Sequence, residues 1–302
     1  MTRILLTGAG GMLGHDLHSI LHEYDLTATT RADLDITDQD AVDRAVSDCD
    51  VVINAAAYTR VDQAETEPEE ALRINAEGPA TLARACATHQ ARLIHVSTDY
   101  VFDGTATTPY PEDTARNPQS VYGRTKAAGE EAIEEIYPEG SLIIRTAWLY
   151  GTHGKHFPGT MLELSKTHDT LSVVTDQVGQ PTWSRDLARM IKRLVDSDIH
   201  SGVFHGTNSG RTNWCDFAKE VFRLAGLDPE RIQPTTSDAF VRPAPRPAWS
   251  VLGHDAWGVA GLETPRPWQD ALAEAFPTVC PDFAHPHGPG APGSADPTGV
   301  AP

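Results

Sequence analysis

The stretch TGAGGMLG, residues 7–14, is the feature that most narrows what this chain can become. It follows a short apolar run, RILLT (3–7), and opens an amphipathic segment, MLGHDLHSILHEY (12–24). Gly8, Gly11 and Gly14 form a G-x-x-G-x-x-G pattern between strand and helix. Glycines there permit a tight turn and let backbone N–H groups come close to a pyrophosphate, while the helix N-terminus adds positive potential. An isolated glycine triplet is weak. One placed directly after the first strand of a βαβ unit is a dinucleotide-binding signature.

The rest of the first half fits that unit. LTATT (26–30), DVVINAAA (50–57), RLIHVST (92–98) and SLIIRTAWLYG (141–151) read as strands. Between them lie a helical DQDAVDRAVSD, a long helical stretch from about Asp62 to His89, and the helical NPQSVYGRTKAAGEEAIEEI (117–136). Continuous apolar strands alternating with helices predict a parallel sheet covered on both faces. The expected class is α/β, a Rossmann-like doubly wound sheet over residues 1–151, with some later segments returning to it. Residues 152–276 read mainly as a smaller substrate-binding α/β region. Its helices are expected near 156–167, 184–197 and 213–225, its strands at LSVVTD and GVFHGTN, and a short last helix at ALAEAF (271–276). Pro and Gly punctuate 229–267, which reads as ordered loops around a pocket or as a lid. Residues 277–302 are Pro/Gly-rich and expected to be disordered, with tail composition accounting for His285 and His287.

Composition removes several classes. A net charge of −18 argues against nucleic-acid and anionic-membrane surfaces. No apolar run approaches the roughly 20 residues of a membrane span, and the first residues lack the pattern of a signal peptide. Cys49, Cys86, Cys215 and Cys280 are far apart and show no metal or redox spacing. A cytoplasmic protein with reduced thiols is expected.

Tyr122 and Lys126 stand at i and i+4, on one face of the predicted helix. With only five lysines in the chain, a lysine beside a tyrosine is a candidate pair. At the end of the second strand, a cation accepts an NADP 2′-phosphate and an acid favours NAD. Arg31 occupies that place and favours NADPH; Asp33 and Asp35 leave NADH open.

Taken in order, the glycine loop, NAAAYTRVDQAE (54–65), STDYVFDG (97–104), VYGRTK (121–126), RTAWLYG (145–151) and DQVGQPT (176–182) resemble the dTDP-4-dehydrorhamnose reductases. These are extended short-chain dehydrogenase/reductases acting on sugar nucleotides, and the resemblance runs to about residue 276. It implies a dTDP-linked keto-deoxysugar as substrate and rhamnose biosynthesis as the setting. It implies Tyr122 as the acid protonating the C4 oxygen, Lys126 on the nicotinamide ribose lowering the tyrosine pKa, and Thr98 on the substrate oxygen. Gly11, Met12 and Leu13 would meet the phosphates, Asp35 and Ile36 the adenine, and Ala55, Ala56 and Ala57 the cofactor's flank. Asp99 and Trp148 would touch substrate, Trp148 having a core role as its alternative. Arg246, in PAPRPAWS, would approach the diphosphate or else be a surface charge, and Arg145 would be structural.

Related 4,6-dehydratases carry Asp-Glu where this chain has Asp99 and Tyr100, so the resemblance implies a reductase rather than a dehydratase. Some members form homodimers around Mg²⁺ held by three glutamates; here the matching positions are Asp16, Asp186 and Glu274. Two other readings stay open: an NADP-binding regulatory subunit like the β subunit of methionine adenosyltransferase, and a reductase or epimerase of another nucleotide sugar.

Overall fold

Six parallel strands carry the molecule, and a computed structural model describes residues 1–284. The chain runs β1 (Arg3–Thr7), α1 (Met12–Ile20), β2 (Asp25–Thr29), α2 (Gln39–Val46), β3 (Val51–Asn54), α3 (Val61–Ala64) and α4 (Pro68–Leu72). A π-helical turn (Arg73–Glu77) leads into α5 (Gly78–His89), then β4 (Arg92–Thr98), α6 (Val121–Ile136), β5 (Ser141–Thr146) and β6 (Leu149–Tyr150). There follow α7 (Phe157–Ser165), β7 (Leu171–Val174), β8 (Val178–Gly179), β9 (Thr182–Trp183), α8 (Ser184–Asp196), β10 (Gly202–His205), β11 (Thr212–Asn213) and α9 (Trp214–Leu224). The last are β12 (Ile232–Thr235), α10 (Asp255–Val259) and α11 (Trp268–Val279). Strand order in the sheet is β10-β5-β4-β3-β1-β2.

Side-chain alternation sorts the strands' apolar residues onto two faces. Ile4, Leu6, Ile53, Ile94, Leu142 and Ile144 face α1 and α8, meeting Leu13, Leu17, Leu187 and Ile191. Leu5, Val52 and Leu93 face the other way onto Val42, Val46, Leu82, Cys86 and Ile133 from α2, α5 and α6. Each such buried side chain contributes roughly 1.5–3 kcal/mol. A third cluster, with Leu162, Phe217, Phe222, Leu272 and Phe276, forms the core of the C-terminal half.

The structure departs from the sequence reading in three places. The helical stretch 62–89 is broken, because Pro68 restarts it as α4 and the π turn separates α4 from α5. SLIIRTAWLYG is two strands, interrupted where Trp148 takes φ +46°. GVFHGTN is no departure: it supplies β10, a later segment that pairs with β5 as an edge of the central sheet. Finally, α11 continues to Val279 and a 3₁₀ turn covers Pro281–Phe283, so the first residues of the expected disordered tail are ordered. His285 and His287 lie outside the described residues.

The π turn and α6 touch closely. A Cβ built on Gly129 of α6 would lie 2.1 Å from the Asn75 carbonyl oxygen. Gly129→Ala must therefore push α6 from the turn, and we expect a loss of about 1–3 kcal/mol. Urea unfolding would show this as a lower midpoint; an unchanged midpoint would mean that the contact yields freely.

Candidate active site

A cleft of about 580 Å³ opens at the carboxyl ends of the parallel strands, where ligands of such sheets bind. Its floor is the glycine loop. Gly8 takes φ +75°, and a Cβ there would lie 2.5 Å from the Ala56 nitrogen at the end of β3. A Cβ on Gly14 would lie 2.3 Å from the Gly8 oxygen, so α1 begins against the loop and no side chain intervenes. Such a bare backbone cradle at a helix start fits a dinucleotide pyrophosphate.

Gly8, Gly11, Met12, Leu13, Gly14, Arg31, Asp35, Ile36, Ala55, Ala56 and Ala57 line one part of the cleft. Thr98, Asp99, Tyr122, Lys126 and Trp148 line the remainder. The sequence-chosen residues thus meet on one surface, with four exceptions. Arg246 pairs with Asp62 of α3 (2.9 Å) and donates to the Ala244 oxygen, outside the cleft lining. Asp16, Asp186 and Glu274 also lie outside it.

Those three carboxylates do not make a metal site. Asp16 accepts from the Ser184 hydroxyl. Asp186 accepts from Arg266 Nε at 2.7 Å, Arg189 at 2.9 Å and Asn208 at 2.9 Å. Glu274 is bound by the same two arginines. Guanidinium groups supply the positive charge, and among the described residues no three metal-capable side chains gather. The Mg²⁺ expectation is corrected accordingly: these residues do not fit the ion.

Helix α6 sets the chemistry of the cleft. Ser120 caps its N-terminus by accepting from the Gly123 N–H (3.0 Å), which fixes where the first turn starts. The i, i+4 spacing then turns Tyr122 and Lys126 inward together. Lys126 is only 1% exposed; its Nζ donates to the Val96 oxygen (2.7 Å) and lies 3.2 Å from His95 Nε2. His95 meets Asn54 (2.9 Å), and Asn54 in turn accepts from Thr7 (2.7 Å) and the Ala56 N–H. One buried polar chain thus ties β1, β3, β4 and α6.

Burial governs the proton affinities. It pushes Lys126 down to about 8, opposed by the Glu130 charge, and holds His95 well below its usual range. It pushes Tyr122 up to about 12, with the Thr98 hydroxyl opposing and the Asp99 carboxyl adding. The expectation that Lys126 lowers the tyrosine is therefore not met here, since the lysine's contacts are with β4. Asp99 is raised to about 6 by burial, with the Ser250 and Thr98 hydroxyls working against it. Arg145 is structural as expected: it is buried on Glu130 (2.7 Å), which Arg116 also holds.

Trp148 lines the cleft and stacks on Trp214 at 3.7 Å. A left-handed tryptophan is strained, and such strain persists only where its surroundings impose it. Sequence reasoning missed Arg73, Ile74, Ser97, Tyr100 and Thr146, all of which line the cleft. Ser97 and Tyr100 adjoin the chosen Thr98 and Asp99, and Thr146 ends β5; all three could have been read from that. Arg73 and Ile74 carried no local signal, because their placement depends on the π turn.

The family model described as RmlD substrate binding domain matches residues 1–280. The dTDP-4-dehydrorhamnose reductase of Streptomyces griseus is 48% identical, covering 92% of this chain and 94% of that one. The chain belongs to the dTDP-4-dehydrorhamnose reductase family. The dTDP-4-keto-6-deoxy-D-glucose reductase of Streptomyces niveus is also 48% identical, covering 93% and 98%. Among solved structures, the dTDP-4-dehydrorhamnose reductase of Bacillus anthracis in complex with NADP superposes with a TM-score of 0.87 at 37% identity, covering 91% and 99%. Among the described residues no helix is long and apolar enough to cross a membrane.

Asp99 gives a stability test within this family frame. Its folded pKa, about 6, exceeds the ordinary 3.8, so between those values the folded state binds more protons than the unfolded state. Stability therefore falls as pH rises from 3.8 to 6, and the whole penalty is present above 6. Asp99→Asn should be more stable than wild type at pH 7.5 by on the order of 2 kcal/mol, the gain fading by pH 4. Thermal unfolding at both pH values checks it; a less stable variant at pH 7.5 would mean that the carboxylate's hydrogen bonds outweigh its burial.

Proposed function

We propose that this chain reduces the C4 ketone of a dTDP-4-dehydro-6-deoxyhexose, dTDP-4-dehydro-L-rhamnose giving dTDP-L-rhamnose, with NADPH as reductant. The observation that carries this reading is the buried pair Tyr122 and Lys126 beside Thr98, on the wall of the cleft whose floor is the glycine loop. Bound NADPH supplies the hydride that reaches C4.

The chain's own residues handle the oxygen and the proton. Thr98, at the end of β4, has its hydroxyl on the Asp99 carboxylate at 2.9 Å, and turning that one proton onto the C4 oxygen polarises the ketone. Tyr122 is kept neutral by its burial and gives its proton to the oxygen as negative charge develops there. The phenolate left behind is disfavoured by the same burial, so the tyrosine recovers a proton readily. An ammonium has three donors, and Lys126 spends one on the Val96 carbonyl. His95, whose Nδ1 takes the Asn54 amide, turns Nε2–H toward the lysine and accepts nothing from it, so donors remain for the nicotinamide ribose. Asp99 and Trp148 bound the sugar from the strand side and from the aromatic wall.

The two Streptomyces relatives are equally identical to this chain but carry names for different sugars. Overall likeness therefore does not choose the sugar; side chains around Asp99 and Trp148 do. The test follows NADPH absorbance with dTDP-4-dehydro-L-rhamnose and, separately, dTDP-4-dehydro-6-deoxy-D-glucose, with NMR of the product. Oxidation with the first supports the reading, and tight NADPH binding without oxidation of either would favour the regulatory-subunit alternative. Tyr122→Phe should lower kcat by about 10²–10⁴-fold while NADPH titration is nearly unchanged. Wild-type turnover in that variant would remove the assigned acid.

A further inference from the structure

His95 lies buried against Lys126, and no step above gives it a task. The hydrogen bonds leading to it run in one direction only, which its far end fixes. A backbone N–H can only donate, so the Asn54 atom that meets the Ala56 N–H at 3.1 Å is the side-chain oxygen. The same oxygen accepts the Thr7 hydroxyl at 2.7 Å. The NH₂ of Asn54 is thereby turned to His95, 2.9 Å from Nδ1, and Nδ1 is the acceptor. Burial keeps the ring neutral, and a neutral imidazole that accepts at Nδ1 carries its hydrogen on Nε2.

That Nε2–H points at Lys126 Nζ from 3.2 Å. An ammonium has no lone pair, so two donors would face each other. A neutral amine accepts from Nε2–H and still donates to the Val96 oxygen at 2.7 Å. Every link of the chain Thr7, Asn54, His95, Lys126 is then satisfied. The charged and titratable groups nearby do not reverse this. Tyr122, one turn earlier on α6, is held neutral by burial. Glu130, one turn later, favours the ammonium but is closed on Arg145 and Arg116. Asp99, just past β4, takes the Thr98 hydroxyl. Burial of Lys126 works in the same direction as the histidine and brings its pKa down to about 8.

We propose that His95 is a positioning residue that stabilises Lys126 as a neutral amine while the cleft is empty, so that the lysine takes up a proton as the dinucleotide binds. Phosphates and ribose hydroxyls bring negative charge and oxygen acceptors to a lysine already buried, and so favour the ammonium without adding to its desolvation. The proton comes from water, and His95 keeps its own. The uptake rests on the reductase reading; the state of the empty protein does not.

With only five lysines, ¹³Cε-lysine NMR identifies Lys126 by its loss in Lys126→Met. In the empty protein Lys126 should titrate near pH 8, well below the other four, and ¹⁵N imidazole shifts should show His95 with its hydrogen on Nε2. Asn54→Asp reverses the chain, since its carboxylate accepts from Nδ1–H and leaves a lone pair on Nε2 for the ammonium. His95→Gln offers the ammonium an amide oxygen. In each, the proton affinity of Lys126 should rise by about tenfold or more. Calorimetry of NADPH binding in buffers of different ionisation enthalpy should show uptake of about 0.1 proton at pH 7 and about 0.9 at pH 9, falling to little at pH 9 in His95→Gln. The NADPH Kd should accordingly rise by up to about tenfold per pH unit above 8. Lys126 titrating with the other lysines in the empty protein, or His95 with its hydrogen on Nδ1, would overturn the proposal whatever the protein binds. Tight NADPH binding without uptake at pH 9 would overturn the linkage while the reductase stands. Failure of NADPH to bind would overturn the reductase reading and the uptake with it, the empty-protein titration still deciding for His95.

Discussion

Holding Lys126 in the protein interior is the interaction on which the rest of the site depends. An ammonium taken out of water costs several kcal/mol unless hydrogen bonds replace its hydration. Here it has a backbone carbonyl and a neighbouring histidine kept neutral, and among the described residues no carboxylate in direct contact. Glu130, one turn along α6, is already neutralised by Arg145 and Arg116. The arrangement therefore destabilises the fold locally and persists because rigid neighbours impose it. Gly129 brings α6 against the π turn, Ser120 fixes its first turn, and the Thr7–Asn54–His95 chain fixes the far side.

The same logic covers Asp99, Tyr122 and Trp148. A carboxyl raised to about 6, a phenol raised to about 12 and a tryptophan at positive φ are each unfavourable alone. They occur together along one cleft, and strain collected in this way is a mark of a site built for chemistry rather than for stability. The burden is carried by the cores around it. Two apolar layers clamp the sheet, and the stack of Trp148 on Trp214, with Phe157 and Phe217 behind, joins the cleft to the third core.

Much of this was legible in sequence because it is local. The order β1, glycine loop, α1 follows from an apolar run, three glycines at fixed spacing and a helical period. Tyr122 and Lys126 share a face because of the helical repeat. The residues chosen along the loop and at the ends of β3 and β4 do line one cleft, since the carboxyl ends of parallel strands converge. What failed was non-local. The 62–89 helix was read as continuous because a π turn leaves the apolar pattern almost intact. For Arg246, open between a diphosphate contact and a surface charge, the partner the structure adds is Asp62, far away in the chain.

By itself, then, the sequence determined a parallel α/β sheet, the place of the glycine loop and the pairing of Tyr122 with Lys126, for spacing along one strand or helix decides each of these. The tertiary structure alone decided which charges meet. Arg189 and Arg266 stand on the carboxylates expected to hold a metal, Arg73 reaches the cleft, and His95 rather than a carboxylate faces the buried lysine. Arg266 reaches Asp186 across 80 residues and Lys126 meets His95 across 31, and no local period records which of such groups folding will bring within hydrogen-bond reach.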